Sequence, residues 1–223
     1  MELPLFRRLS FQASYDHYSF PQITSRNINI QRGQDSYLKL LYSSWSALEF
    51  SFRYKYSSGT QNSNLQTWFN QAVRTEKHDL QVKARYMVSA NYSMKIQAGY
   101  NIFQASEESV RSVGSLLLLD MYYHPESVPL KLTFRYALFH TDDYRSRLYA
   151  YENDVLYSSS MPAYYGKGFR FYLLMKYSPV HWLNIWFRFS TTCFTDRNTI
   201  SSGPEKIKGN KLPEIKIQLR IKL

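Results

Sequence analysis

Large apolar side chains recur at every second position in segment after segment of this chain. The pattern is sharpest at its end, IKIQLRIKL, where Ile215, Ile217, Leu219, Ile221 and Leu223 alternate with Lys216, Gln218, Arg220 and Lys222. Strand side chains point alternately to opposite faces, so this segment carries one apolar face and one cationic face. Leu48–Tyr56 repeats the design, with Leu48, Phe50, Phe52, Tyr54 and Tyr56 set against Glu49, Ser51, Arg53 and Lys55. The same periodicity predicts strands at Leu9–Tyr15, Tyr37–Tyr42, Leu80–Val88, Met94–Tyr100, Gly114–Tyr123, Leu130–Phe139, Phe169–Tyr177 and Trp182–Thr192. Helical spacing of apolar residues is sustained nowhere, so the chain reads as all-β.

The connections alternate in length. Ser43–Ala47, Ser89–Asn91, His124–Pro129 and Ser178–His181 are short, whereas Pro21–Asp35, Ser57–Lys77, Gln104–Ser112 and Thr195–Lys211 are long and polar. Trp68 and Phe69 within the second long segment read as a candidate strand extension. Short turns at one end and long loops at the other characterise outer-membrane barrels. The aromatic stretch Tyr144–Tyr165 keeps this parity only if it adds no membrane strand or two, giving ten strands or twelve. The expected fold is an antiparallel up-and-down transmembrane β-barrel, or a partial barrel, forming one domain over residues 1–223. Its apolar face looks to outer-membrane lipid, its polar face lines the interior, and Tyr and Trp gather near strand ends such as Tyr54, Tyr100, Tyr123, Tyr177, Trp45 and Trp182.

Composition agrees with long elements and few tight turns: the chain has 8 Gly, 8 Pro and 20 Tyr, with aromatics at 17%. The net charge of +11 is spread along the strands, which argues against a dedicated nucleic-acid patch. No apolar run approaches the length of a membrane helix; the longest aliphatic run is Leu116–Leu119. Cys193 is the single cysteine, so no internal disulfide or CxxC site is available. The start, MELPLFRRLSFQASYDHYSF, lacks the apolar core of an export signal. A barrel in the outer membrane has to be exported, so the expectation is the C-terminal part of a longer precursor.

RYALFHTDDYRSRLYAYENDVLYSSSMPAYYGKGFRFYLLMKY and DRNTISSGPEKIKGNKLPEIKIQLRIKL resemble the C-terminal barrel region of helix-hairpin-helix domain-containing proteins of the Bacteroides group of Gram-negative bacteria. YAYEND, PAYYGKG and TISSG carry the likeness, with Met161 where an aliphatic residue is more usual. The resemblance implies an outer-membrane-like β region. The helix-hairpin-helix segment itself is missing from this sequence, so no direct nucleic-acid binding carries over.

Among polar residues, the densest group is Asp142, Asp143, Arg145, Arg147, Tyr151, Glu152, Asn153 and Asp154, the candidates for an outer loop or plug. They lack the residue order of a calcium loop. The five histidines form no metal-binding pair, no GxSxG elbow surrounds a serine, and Gly166–Lys167–Gly168 is not a phosphate loop; its glycines permit a tight start to the next strand. No catalytic residue, cofactor or metal is assigned. Lys39, Arg53, Lys55, Lys83, Arg85, Lys131, Arg135, Lys176, Arg188, Lys216 and Arg220 are the candidates for lining a basic lumen that favours an anionic solute. The expected function is a non-catalytic pore, translocation channel or surface anchor, with Ile215–Leu223 as the segment read by barrel-assembly machinery. Two alternatives stay open: a soluble β-barrel or sandwich binding an apolar ligand, and a rim-active outer-membrane hydrolase.

Overall fold

The computed structural model describes residues 2–6, 8–21, 31–43, 47–62, 72–106, 110–201 and 203–222. Strands follow one another as β1 (Glu2–Phe6), β2 (Leu9–Phe20), β3 (Gln31–Ser43), β4 (Leu48–Asn62), β5 (Ala72–Met87), β6 (Tyr92–Ala105), β7 (Val110–Tyr123) and β8 (Leu130–Thr141). Next come two short strands, β9 (Leu148–Tyr149) and β10 (Ala163–Tyr164), then β11 (Lys167–Val180) and β12 (Leu183–Phe194). A small hairpin, β13 (Thr199–Ile200) and β14 (Ile207–Lys208), precedes the final strand β15 (Lys211–Ile221). Among the described residues the only helical turn is the 3-10 turn Gly203–Glu205.

β1 to β8, β11, β12 and β15 make one eleven-stranded antiparallel sheet in chain order. Ten of these strands are long, and β1 is a short addition that the alternation did not predict. The twelve-strand alternative is excluded here, because Tyr144–Tyr165 supplies only β9 and β10, which pair with each other outside the main sheet. Of the closed and partial barrel expected from sequence, the sheet takes the open form. Among the described residues β15 pairs only with β12, and β1 occupies part of the outer edge of β2 through Glu2↔Gln12 to Phe6↔Leu9.

The long strands also overrun their apolar segments. β4 continues to Asn62, β5 begins at Ala72, and β3 begins at Gln31, in stretches read from sequence as loop. Backbone pairing does not require apolar side chains where no apolar medium surrounds the strand. From Leu48 to Tyr56 the apolar face of β4 is about 27 Å long. The remainder of β4 projects beyond it. Trp45, Trp68, Phe69 and Leu223 lie outside the described residues.

One face of the sheet is an exposed, largely aliphatic surface, while the other buries charged residues together with an apolar cluster around Leu116, Leu118 and Phe139. The aliphatic side is exposed, with Ile217 at 69%, Ile96 at 50% and Leu117 at 48%, while Asp120 and Arg188 on the opposite side are at 0%. Registers align this apolar surface across strands: Leu40↔Phe52, Phe52↔Val82, Val82↔Ala98, Ala98↔Leu117 and Leu117↔Leu138 form one continuous row. Exposed Tyr42, Tyr86, Tyr123 and Tyr177 sit at the short-turn ends of β3, β5, β7 and β11.

Candidate functional site

Residues 142–166 fold across the polar face of the sheet instead of standing away from it. Leu148 enters a cluster with Leu116, Leu118, Ala137, Phe139 and Tyr164, and Val155 and Leu156 pack on Tyr172, Leu174 and Trp186. Two glycines admit this segment. A Cβ on Gly99 would lie 2.9 Å from Leu148 Cδ2, and one on Gly114 would collide with the Ser146 carbonyl oxygen. Ser146 is tied down by its hydroxyl, which donates to the Val113 carbonyl at 3.0 Å, while Ser112 donates to Asp143 at 2.6 Å. The Val113 N–H donates to Asp142 at 2.9 Å. At the far end Gly166 takes φ +78° and delivers the chain directly into β11. Gly114→Ala is expected to lift the segment off β7, lowering stability by about 1–3 kcal/mol. Urea midpoints in detergent, with faster proteolysis between residues 142 and 166, will register it.

Charge fastens the plug-like segment. Glu152 is fully buried and accepts hydrogen bonds from Arg170 Nε at 2.8 Å, Arg188 Nη2 at 2.5 Å and Tyr164 Oη at 2.9 Å. Asp154 receives Lys216 Nζ at 2.8 Å. The Tyr151 carbonyl accepts from Arg135 Nη1 at 2.6 Å, and Arg135 is also held by Asp120 through Nη2 at 2.8 Å. The Cζ atoms of Arg135 and Arg188 are 5.5 and 5.1 Å from the Tyr172 ring centroid, and Tyr172 Oη accepts from the Asn153 N–H. Burial pushes the Tyr164 phenol up, and the Glu152 charge adds to it. Burial also pushes the Asp154 carboxyl up, but hydrogen bonds from Lys216 and the Val155 N–H, with the Arg188 charge, outweigh this and hold it below the usual range. Asp154 therefore stabilises the fold above the ordinary carboxylate range, and that contribution is lost as pH falls through its lowered value.

Eight of the eleven cations named from sequence fall into two groups, with Lys131, Lys176 and Arg220 apart from both. Arg135, Arg188 and Lys216 anchor residues 142–166: Arg135 and Arg188 are 2% and 0% exposed, so they line no open passage. Arg135 is paired with Asp120, and Arg188 with Glu152 and Glu214. Lys131 and Lys176 are cross-strand neighbours, and Lys176 Nζ sits 5.2 Å from the Trp186 ring centroid. Arg220 pairs in register with Asn184.

The second group remains open on β3–β6. A cleft of about 540 Å³ between these strands and the folded segment is lined by Arg53, Lys55, Lys77, Lys83, Lys95 and Arg147, with Asp79 as its one acid. Lys83 and Lys95 also line a cavity of about 630 Å³ that runs to Arg85 and Glu49 near the short turns. Ser57 and Lys77 are shared with a third, of about 200 Å³, toward the long-loop end. Arg53 is 3.1 Å from Asp79, Lys55 is 3.0 Å from Asp35, Lys95 is 2.7 Å from Asp120, and Arg85 is 3.9 Å from Glu49. Among the described residues, Lys39, Lys77 and Lys83 form no salt bridge, although the Asp79 charge acts on Lys77. The result is a basic path along the polar face.

Several site residues escaped the sequence reading. Arg170 and Tyr172 share a face with Leu174, and the alternation of Phe169, Phe171 and Leu173 on the other side carried that signal. Asp120 and Asp79 gave none, because an acid in a strand has meaning only once its cross-strand neighbours are known, and Lys77 closed a segment that reads from sequence as a loop. Arg145 was grouped with the plug and lies with Cζ 5.7 Å from the Phe103 ring centroid, while Arg147 stacks on Tyr144 at 4.2 Å. Among the described residues no group of His, Cys, Asp and Glu is placed to hold a metal ion.

No protein-family model matches the chain, and no curated protein matches it.

Proposed function

We propose that this chain forms the wall of an outer-membrane β-barrel and that its basic polar face gives small anions a route, without catalysis. The continuous, exposed apolar face of the sheet carries this reading. A soluble monomer seldom exposes contiguous apolar area beyond a few hundred Å², whereas a lipid-facing sheet needs it. The tyrosines at the short-turn ends suit a membrane–water boundary. The resemblance to the barrel region of Bacteroides-group helix-hairpin-helix proteins points the same way.

An open sheet cannot persist in hydrocarbon, because unpaired edge N–H and C=O groups there cost several kcal/mol each. In a bilayer the free edge of β15 therefore pairs, either with the β1–β2 edge or with strands outside this chain. The same edge, with Ile215, Ile217, Leu219 and Ile221 exposed beside it, is the segment proposed for barrel-assembly machinery.

Purified chain is expected to need detergent; a stable monomer in plain buffer would exclude the membrane reading and favour the soluble ligand-binding alternative. In planar bilayers under a KCl gradient the reversal potential is expected to show anion preference, reduced in Lys39→Gln/Lys83→Gln. Conductance with no ion preference would remove the basic route, and absence of conductance in a bilayer-inserted protein would leave the anchor.

A further inference from the structure

The basic cleft has a second wall that ion passage alone does not call for. Opposite the cations of β4–β6, residues 142–166 present Tyr149, Tyr151 and Met161, which are 45%, 55% and 64% exposed and line the same cavity. Tyr149 is held in place: its hydroxyl accepts from Arg147 Nε at 2.6 Å, and the Arg147 Cζ lies 5.6 Å from its ring centroid. A ring clamped in this way, yet left half-exposed, presents a ready face at little further entropic cost. On the sheet side Lys77 and Lys83 form no salt bridge among the described residues, with Asp79 the acid whose charge reaches Lys77, and Arg53 Nε is hidden from solvent without a hydrogen-bond partner there. The two walls thus offer different chemistry to one occupant: ammonium and guanidinium donors on one side, flat apolar surface on the other.

We infer that this cleft is a binding site for a multiply charged anion carrying a flat ring, its charges toward Lys77, Lys83 and Arg53 and its ring against Tyr149 and Tyr151. The inference deepens the proposed anion route, since it rests on the polar face being open to water, but it does not require conduction. About 540 Å³ suits a ligand of nucleotide or disaccharide size. A plain charge funnel would rank ligands by charge alone, so an inorganic polyanion would bind best; a stacking wall reverses that order.

The test uses the full chain refolded in detergent, with ATP, inorganic tripolyphosphate, adenosine and a trisulfated disaccharide titrated by calorimetry at physiological salt without divalent cations. ATP is expected to bind about fivefold or more tightly than tripolyphosphate, although the latter carries at least as much charge, and adenosine not measurably. The disaccharide arm tests the flatness of the ring: a pyranose is a puckered chair, so tighter binding than ATP would overturn the flat-ring inference and weaker binding supports it. Tyr149→Ala/Tyr151→Ala is expected to erase the preference for ATP over tripolyphosphate while leaving tripolyphosphate binding intact. Lys77→Gln/Lys83→Gln is expected to weaken both polyanions about tenfold or more, with Lys208→Gln, in β14 and outside the cleft, as the control for loss of one charge. Tripolyphosphate binding as tightly as both ring-bearing anions would overturn the ring half, and no binding of any polyanion below millimolar would overturn the site. ATP discrimination without anion-selective conductance would count against the route and for the site. The reverse pairing would count against the site alone.

Discussion

Glu152→Ala is expected to destabilise the folded chain by about 3–5 kcal/mol, the cost of stranding buried cations whose partner has been removed. Arg170 and Arg188 both reach Glu152, and Tyr164 donates to it as well, so one deletion leaves three buried groups short of an acceptor. Arg188 retains Glu214 at 3.2 Å, whereas Arg170 keeps only the hydroxyls of Thr192 and Ser190. Loss of the segment's anchor is expected to precede loss of the sheet, because β11 and β12 stay paired through their own backbone from Gly168↔Phe194 to Val180↔Leu183. Chemical denaturation in detergent, followed by Trp fluorescence and by protease access to residues 142–166, will separate the two events. Glu152→Gln tests the charge alone: it keeps the shape and one acceptor oxygen, and a stability close to that of the parent would show that the anchor works by packing instead.

Leu117→Arg carries the other large effect, and its sign of life is the medium. Leu117 lies in the apolar row shared by Leu40, Phe52, Val82, Ala98 and Leu138. Arginine at the midplane of a lipid-facing barrel strand costs about 2–4 kcal/mol. At a position 48% exposed to water, the same change on a soluble sheet is expected to stay within about 0.5 kcal/mol. Refolding titrations into lipid vesicles will read the difference. A near-neutral Leu117→Arg would contradict the lipid-facing assignment even if the protein requires detergent for other reasons.

The strand pattern was legible because period-two alternation needs no knowledge of neighbours. Leu48–Tyr56 and Leu130–Phe139 declare two faces from their own residues, and the antiparallel order follows from connection lengths. Gly166 was legible too, since a tight start to β11 demands a residue free to take φ +78°. The extensions of β3, β4 and β5 were not, because polar pairing such as Asp35↔Ser57 or Ser58↔Glu76 carries no hydrophobic signature. β1 was equally silent.

The site was legible only by half. Alternation alone assigned Arg53, Lys55 and Lys83 to a cationic face, and local density alone singled out Glu152 and Asp154. Charge by itself says nothing of pairing, so Arg135 and Lys83 looked equivalent. What distinguishes them is Asp120 across the strand pair and the path of residues 142–166 above, both of which arise from contacts between distant parts of the chain. Amphipathic strands, their order and the sign of each face were written into the sequence by itself, because each depends on residues a few positions apart. Which cations are neutralised, which line the cleft and whether the sheet's edges meet were decided by the tertiary structure, since electrostatic partnership and edge pairing depend on separation in space rather than along the chain.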